Sequence, residues 1–154
     1  TGGEITGLFL NEEIPKGLTP LETIKRIKAQ GGLVSIPHPF SNLRASELTD
    51  YGLNTIVCYA DIIEVFNARN TSGQASSTAQ QFALAHSLLP TAVSDAHHPL
   101  ELGRTYTEMP TFDGTPRQFK QALSEARLVG KAATPLVHLL STYAKIYKRL
   151  KLFS

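Results

Sequence analysis

The sequence predicts an α/β fold built on parallel strands. Three observations carry that expectation. Short segments rich in β-branched residues alternate with longer segments of helical periodicity. Three of the helical segments open on a Thr-Pro pair, and Gly or Pro punctuates the boundaries. A chain of 154 residues also fits one domain with a sizeable core.

The elements follow in order. Glu4-Ile5-Thr6 forms the first extended segment. Thr19-Pro20-Leu21-Glu22 is a capping box with Pro at the first helical position, and Leu21, Ile24 and Ile27 recur at helical spacing. Gly31-Gly32 stops that helix, and Leu33 to Ile36 follows as an apolar strand. Ser46 to Tyr51 suits one or two helical turns. Asp61 to Asn67 reads as a strand, and Gln74 to Leu89 as an Ala-rich helix that Pro90 ends. Pro90 to Asp95 is the next strand. Thr115-Pro116 opens another helix, Leu128-Val129 is a brief strand, and Thr134-Pro135 opens the last helix. There Leu136, Leu139, Leu140, Tyr143, Ile146, Tyr147 and Leu150 form an apolar stripe opposite the lysines.

Composition narrows the function. Hydrophobic residues make up 42% and charged residues 18%, which excludes a disordered chain. No apolar run approaches the roughly 18 residues of a membrane span, and no signal peptide is visible. The stretch 131–154 carries five of the 15 basic side chains and no acidic one. That leaves ten basic against 13 acidic residues over 1–130, a balance of −3, so direct nucleic-acid contact is not expected. The basic end reads as a solvated helix face. Cys58 is alone, which fits a reducing, cytoplasmic setting, and it reads as a core thiol.

Parallel α/β folds place their chemistry at the carboxyl ends of strands. Here the segment ends present Glu4, then His38 between Pro37 and Pro39, then Asn67 and Arg69, then Asp95 and His97. Imidazole with carboxylate is a ligand set for Zn²⁺, Mn²⁺ or Fe²⁺. Residues two apart on an extended chain point to one side, so Asp95 and His97 can reach one centre. The flanking prolines stiffen the segment carrying His38. Each residue has a plainer reading when taken singly. Glu4 is then a solvated residue near an end, His38 a hydrogen-bonded histidine of a Pro-rich turn, Asp95 a cap and His97 a surface loop histidine. Their shared placement favours a metal site. His98 should point the other way and reads as a cap or supporting residue. His86 and His138 read as packing residues, and Glu64 as a mid-strand carboxylate that serves as a buried partner, metal ligation being its lesser reading.

These residues resemble the C-terminal part of a PHP-domain metal-dependent phosphoesterase, of the polymerase and histidinol phosphatase superfamily. The motifs that carry the resemblance are GGEIT at 2–6, GLFL at 7–10, the stretch 18–40 ending in IPHPF, DIIEVFNAR at 61–69, SDAHHPLELGRTYTEMP at 94–110 and PLVHLLSTYAKIYKRL at 135–150. The resemblance implies a distorted (β/α)7 TIM-like barrel, here a partial PHP domain over 1–154 with its N-terminal strands missing and a basic amphipathic helix at 135–154. It implies two or three divalent ions, Mn, Zn or Fe, held by Glu4, His38, Asp95 and His97. Glu4 and Asp95 are the implied catalytic carboxylates, and a metal-activated water would hydrolyse a phosphate monoester or diester. The assignment of Asn67, Arg69 and Arg104 to substrate phosphate is an inference from their position at strand ends. The expected partner is a phosphorylated small molecule or nucleotide, with no membrane and with self-association through an open strand edge.

Two departures matter. The family's opening H-x-H motif, and the Asp and His that follow it, do not occur in these 154 residues, and Thr6 joins Gly7 without the longer excursion usual in relatives. The alternative expectation is therefore an incomplete or inactive PHP module. It would serve as a scaffold or as part of a larger DNA-polymerase-associated assembly.

Overall fold

The computed structural model describes residues 4–40, 50–70 and 73–131. The elements are β1 (Thr6–Leu8), α1 (Pro20–Ala29), β2 (Leu33–Ile36), α2 (Asp50–Ile56), β3 (Ile62–Asn67), α3 (Gly73–Ala85), β4 (Leu89–Val93), β5 (Tyr106–Glu108), α4 (Pro116–Ser124) and β6 (Arg127–Val129). Short 3-10 turns lie at Val57–Tyr59 and Pro99–Glu101. The striped helix expected over 135–150 and the first residues of the turns expected over 46–51 lie outside the described residues.

Local chemistry sets the helix ends. The Thr19 hydroxyl accepts from the Glu22 N–H, and the Glu22 carboxylate accepts from the Thr19 N–H at 2.9 Å. Gly31 ends α1 at φ +73°, a conformation that costs a β-carbon little only when the β-carbon is absent. Gly32 is required for a different reason. A β-carbon there would sit 2.8 Å from the Leu8 carbonyl oxygen.

Among the described residues the strands form a four-stranded sheet in the order β1-β2-β3-β4, with a separate β5-β6 pair. β2, β3 and β4 are parallel, as expected, whereas β1 is antiparallel to β2 and β5 to β6. The tight turn after α1 sends β2 back along that helix. The irregular stretch 9–19, interrupted by Pro15 and Gly17, supplies the return that a helix supplies in a parallel crossover. No closed barrel forms among the described residues.

Pro90 does not terminate the helix before it. α3 already ends at Ala85, and Pro90 sits inside β4 opposite Ile63. Proline is tolerated there because β4 is the last strand of its sheet. The β5 side chain Thr107 covers that edge. Its hydroxyl accepts from the Ala92 N–H at 2.9 Å and donates to the Ala92 carbonyl at 3.0 Å.

Strand alternation divides the core between two faces. On one face Val34, Ile36, Ile63 and Val65 pack with Ile24 and Ile27 of α1, Leu53 and Ile56 of α2, and Ala79 and Ala83 of α3. On the other face Leu33 and Ile62 pack with Leu123 of α4, joined by Leu8, Phe9 and Phe119. The rings of Phe9 and Phe119 meet edge to face at 5.2 Å, which ties the end of β1 to α4. Cys58 is exposed, not in the core, because it falls on the short turn after α2 and not on the strand that follows.

One carboxylate ties three elements together at the amino end of β3. Asp61 pairs with Lys28 of α1 and, at 2.9 Å, with Lys120 of α4, and it accepts from the Val34 N–H of β2 at 2.9 Å. Burial pushes its carboxyl up, but the Lys28 ammonium, the Val34 N–H and the Lys120 ammonium together hold it below the usual aspartate range.

Two outcomes are expected. Ile36, fully buried, should lose about 2–5 kcal/mol of stability on Ile36→Ala in urea denaturation. Asp61→Asn should be less stable than the parent at neutral pH. Because the folded carboxyl lies below its unfolded value near about 4, that stabilisation is present above about pH 4 and is lost as pH falls through the folded value. Denaturation curves for both proteins across pH should therefore converge in acid.

Candidate metal centre

Three parallel strands deliver their carboxyl ends to one rim of the sheet. His38 follows β2, Asn67 closes β3, and Asp95 and His97 follow β4. Glu4 reaches the same rim from the opposite direction. β1 is antiparallel to β2, with Thr6 opposite Ser35, so the residues before β1 lie beside those after β2.

The structure brings the predicted donors together as two pairs. His38 Nε2 lies 3.6 Å from Glu4 Oε2, and His97 Nε2 lies 3.5 Å from Asp95 Oδ1. The first separation is too long for a hydrogen bond. Among the described residues no group of three or more His, Cys, Asp or Glu side chains is arranged to hold a metal ion. The pairs differ in burial. The His38 side chain is 6% exposed, whereas that of Glu4 is 53% exposed and that of His97 39%.

A polar bridge joins the pairs. Glu64 Oε2 accepts from the His38 N–H at 3.0 Å and from Asn67 Nδ2 at 3.2 Å, and Asn67 Nδ2 also lies 3.3 Å from Asp95 Oδ2. Regular alternation would send residues 64 and 67 to opposite faces of the sheet. The β3–β4 register shifts between Glu64 and Phe66, and this bulge turns both side chains to the same side. The backbone at two donor positions is left-handed, with φ +30° at His38 and +47° at Asp95. Such conformations cost a non-glycine residue about 1–3 kcal/mol. Asp95 and His97 therefore meet across a kink, not by strand alternation.

The remaining predicted residues are placed as follows. Asn67 is buried, and its Oδ1 accepts from the Arg69 N–H at 3.0 Å. Arg69 Nη1 pairs with Glu101 Oε1 at 2.8 Å. Arg104 is exposed on the turn before β5. His98 caps the turn Pro99–Glu101, its Nδ1 accepting from the Leu100 N–H at 3.3 Å. His86 packs against Phe82 with the rings tilted by 43° and their centres 4.3 Å apart.

Glu101 was missed by sequence reasoning. It is buried, and its Oε2 accepts from the N–H groups of both His97 and His98 at 2.8 Å. Burial pushes its carboxyl up, but the His97 N–H, the Arg69 guanidinium and the His98 N–H hold it below the usual glutamate range. A signal was present. His98-Pro99-Leu100-Glu101 repeats the spacing of Thr19-Pro20-Leu21-Glu22, with an imidazole in place of the hydroxyl.

The donor chemistry fits a divalent ion. His38 Nδ1 is buried with no hydrogen-bond partner, an arrangement that costs about 1–3 kcal/mol unless something engages it. A void of about 10 Å³ lies among His38, Glu64, Asn67 and Asn70, close to the size of one water. The cleft of about 830 Å³ lies elsewhere, beside β1 and α1, and touches the donors only through Glu4.

Comparison with known proteins agrees with this architecture. Residues 73–128 match the PHP-associated family. The uncharacterized protein MJ0417 of Methanocaldococcus jannaschii is 36% identical over 107 residues, 68% of this chain and 45% of that protein. The uncharacterized protein MJ1587 of the same organism is 50% identical over 76 residues, 47% of this chain and 40% of that protein. The chain thus spans less than half the length of the curated relatives it matches. Its fold resembles a two-domain protein from Bacteroides vulgatus containing a predicted PHP-like metal-dependent phosphoesterase, with a TM-score of 0.60 at 19% identity over 82% of this chain and 42% of that one. It also resembles a candidate metal-dependent phosphoesterase from Bifidobacterium adolescentis, with a TM-score of 0.53 at 22% identity over 81% of this chain and 40% of that one. Residues 73–128 thus carry the similarity to the PHP-associated family, and the α/β fold as a whole is similar to those two structures.

Proposed function

We propose that this chain forms part of a divalent-metal-dependent phosphoesterase that hydrolyses a phosphate monoester or diester. The observation behind this reading is the meeting of two acid–imidazole pairs at one rim, joined through Glu64 and Asn67, with His38 Nδ1 buried and bare. In this reading Glu4, His38, Asp95 and His97 hold two or three ions of Mn, Zn or Fe. The barrel is of the distorted (β/α)7 type, of which the chain is a part. Four-coordinate ions need more donors than each pair supplies, so the rest come from substrate, water or chain outside the described residues.

Such ions supply Lewis-acid charge for an in-line displacement at phosphorus and a more acidic water. The chain's own residues do the following. Glu4 and Asp95 offset the positive charge of the ions. His38 and His97 offer neutral nitrogens whose positions are set by the strand ends. Glu64 fixes the His38 backbone, and Asn67 fixes Asp95. Arg104 faces solvent, free to meet a phosphoryl oxygen, and Asn67 and Arg69 line the same rim.

A second reading has its own observation. The described donors come as two pairs and not as a group of three. That arrangement suits a module that is inert alone and acts as a scaffold or within a larger polymerase-associated assembly.

Elemental analysis after gel filtration separates the two. The phosphoesterase reading expects stoichiometric Mn, Fe or Zn, and hydrolysis of p-nitrophenyl phosphate or its diester that chelation abolishes. His97→Ala should lower metal affinity by at least about 10- to 100-fold, the scale seen when even an outer partner of a ligand is lost. Metal at background, with no hydrolysis, favours the scaffold.

A further inference from the structure

We infer that Glu101 and Arg69 are positioning residues that aim the His97 imidazole, an inference that rests on the metal-centre reading above. The His97 side chain is 39% exposed, so packing alone does not hold it. Its Nε2 meets Asp95 Oδ1 at 3.5 Å, and the position from which the ring reaches that carboxylate is set by the His97 backbone. That backbone is gripped by a single carboxylate oxygen, Glu101 Oε2, which accepts from the N–H groups of His97 and His98 at 2.8 Å each. The other oxygen, Oε1, takes Arg69 Nη1 at 2.8 Å.

The arrangement needs a carboxylate and a cation together. The Glu101 side chain is 4% exposed and that of Arg69 10%. A carboxylate buried to that degree without a cation costs several kcal/mol. Arg69 makes the buried charge tolerable, and the charge in turn strengthens its bonds to the two N–H donors. A glutamine has one acceptor oxygen and cannot serve both Arg69 and the two N–H groups. Arg69 itself is carried by the end of β3, its N–H bound to Asn67 Oδ1 at 3.0 Å. The clamp therefore links the end of β3 to the segment after β4. Outer partners of this kind orient metal ligands in general.

The test is Mn²⁺ titration of the full chain, followed by electron paramagnetic resonance, with amide exchange measured at His97 and His98. Glu101→Gln should weaken Mn²⁺ binding by about 10- to 100-fold. Circular dichroism should stay unchanged, and exchange at the two amides should accelerate. Unchanged Mn²⁺ affinity despite faster exchange would give the clamp a merely structural role and overturn the inference. If Glu101→Gln does not fold, Arg69→Lys decides, because the ammonium keeps a charge but not the planar fork. Weakened Mn²⁺ binding in that folded variant supports the clamp, and parental affinity overturns it. Parental protein and His97→Ala binding Mn²⁺ alike would instead sink the metal-centre reading, and the inference with it.

Discussion

Parallel strands β2, β3 and β4 run in one direction, so three carboxyl ends leave the sheet along one rim. There the ladder stops, and backbone N–H groups in partly buried surroundings need acceptors. Two carboxylates meet that need. Glu64 takes the His38 N–H, and Glu101 takes those of His97 and His98. The residues that carry imidazoles are thus held in part through their main chains. The left-handed φ values at His38 and Asp95 fall in these same segments. Strain of that kind persists only where surrounding contacts over-determine the conformation.

The opposite end of the sheet is built differently. Asp61 sits at the start of β3 and gathers Lys28, Lys120 and the Val34 N–H, tying helices from both faces to one strand. Among the described residues no imidazole pairs with a carboxylate there. Each end uses charged side chains, but for separate purposes. At the amino end opposite charges lock elements to one another. At the carboxyl end acidic groups hold loops and stand beside histidines. This division matches the general contrast between the two faces of barrels with parallel strands.

Much of this was legible in the residues. The Thr19 capping box, the Gly31 stop and the β2 and β3 segments are local features, and each lies within a residue of its predicted place. Strand direction was not legible. Three residues of β1 carry no mark that they pair antiparallel, so Glu4 lies at the rim that follows β2 although the sequence reading implied parallel strands throughout. Pro90 misled because its meaning depends on whether its strand lies at an edge, which only tertiary pairing decides. β5 was missed because Tyr106–Glu108 is short and is defined by its antiparallel pairing with β6. The candidate donor positions stand out in the sequence as Pro-His-Pro and Asp-x-His. Their supports were not, because Glu64 looks like any polar interruption of an apolar strand.

The bulge at the end of β3 shows why supports escape a periodic reading. Alternation assigns Ile62 and Glu64 to one face, and Ile63 and Val65 to the other, as the two core clusters bear out for the apolar members. Continued without interruption, it would turn Asn67 away from Glu64. The one-residue register shift between Glu64 and Phe66 cancels that half-turn. Asn67 Nδ2 then lies 3.2 Å from Glu64 and 3.3 Å from Asp95. One irregular residue therefore converts a strand that would only fill a core into one that also joins His38 to Asp95. The same shift places Arg69, two residues on, where it can reach Glu101. A sequence pattern of period two has no way to mark that residue. Its consequence is felt at every donor on the rim except Glu4, which arrives on the other strand.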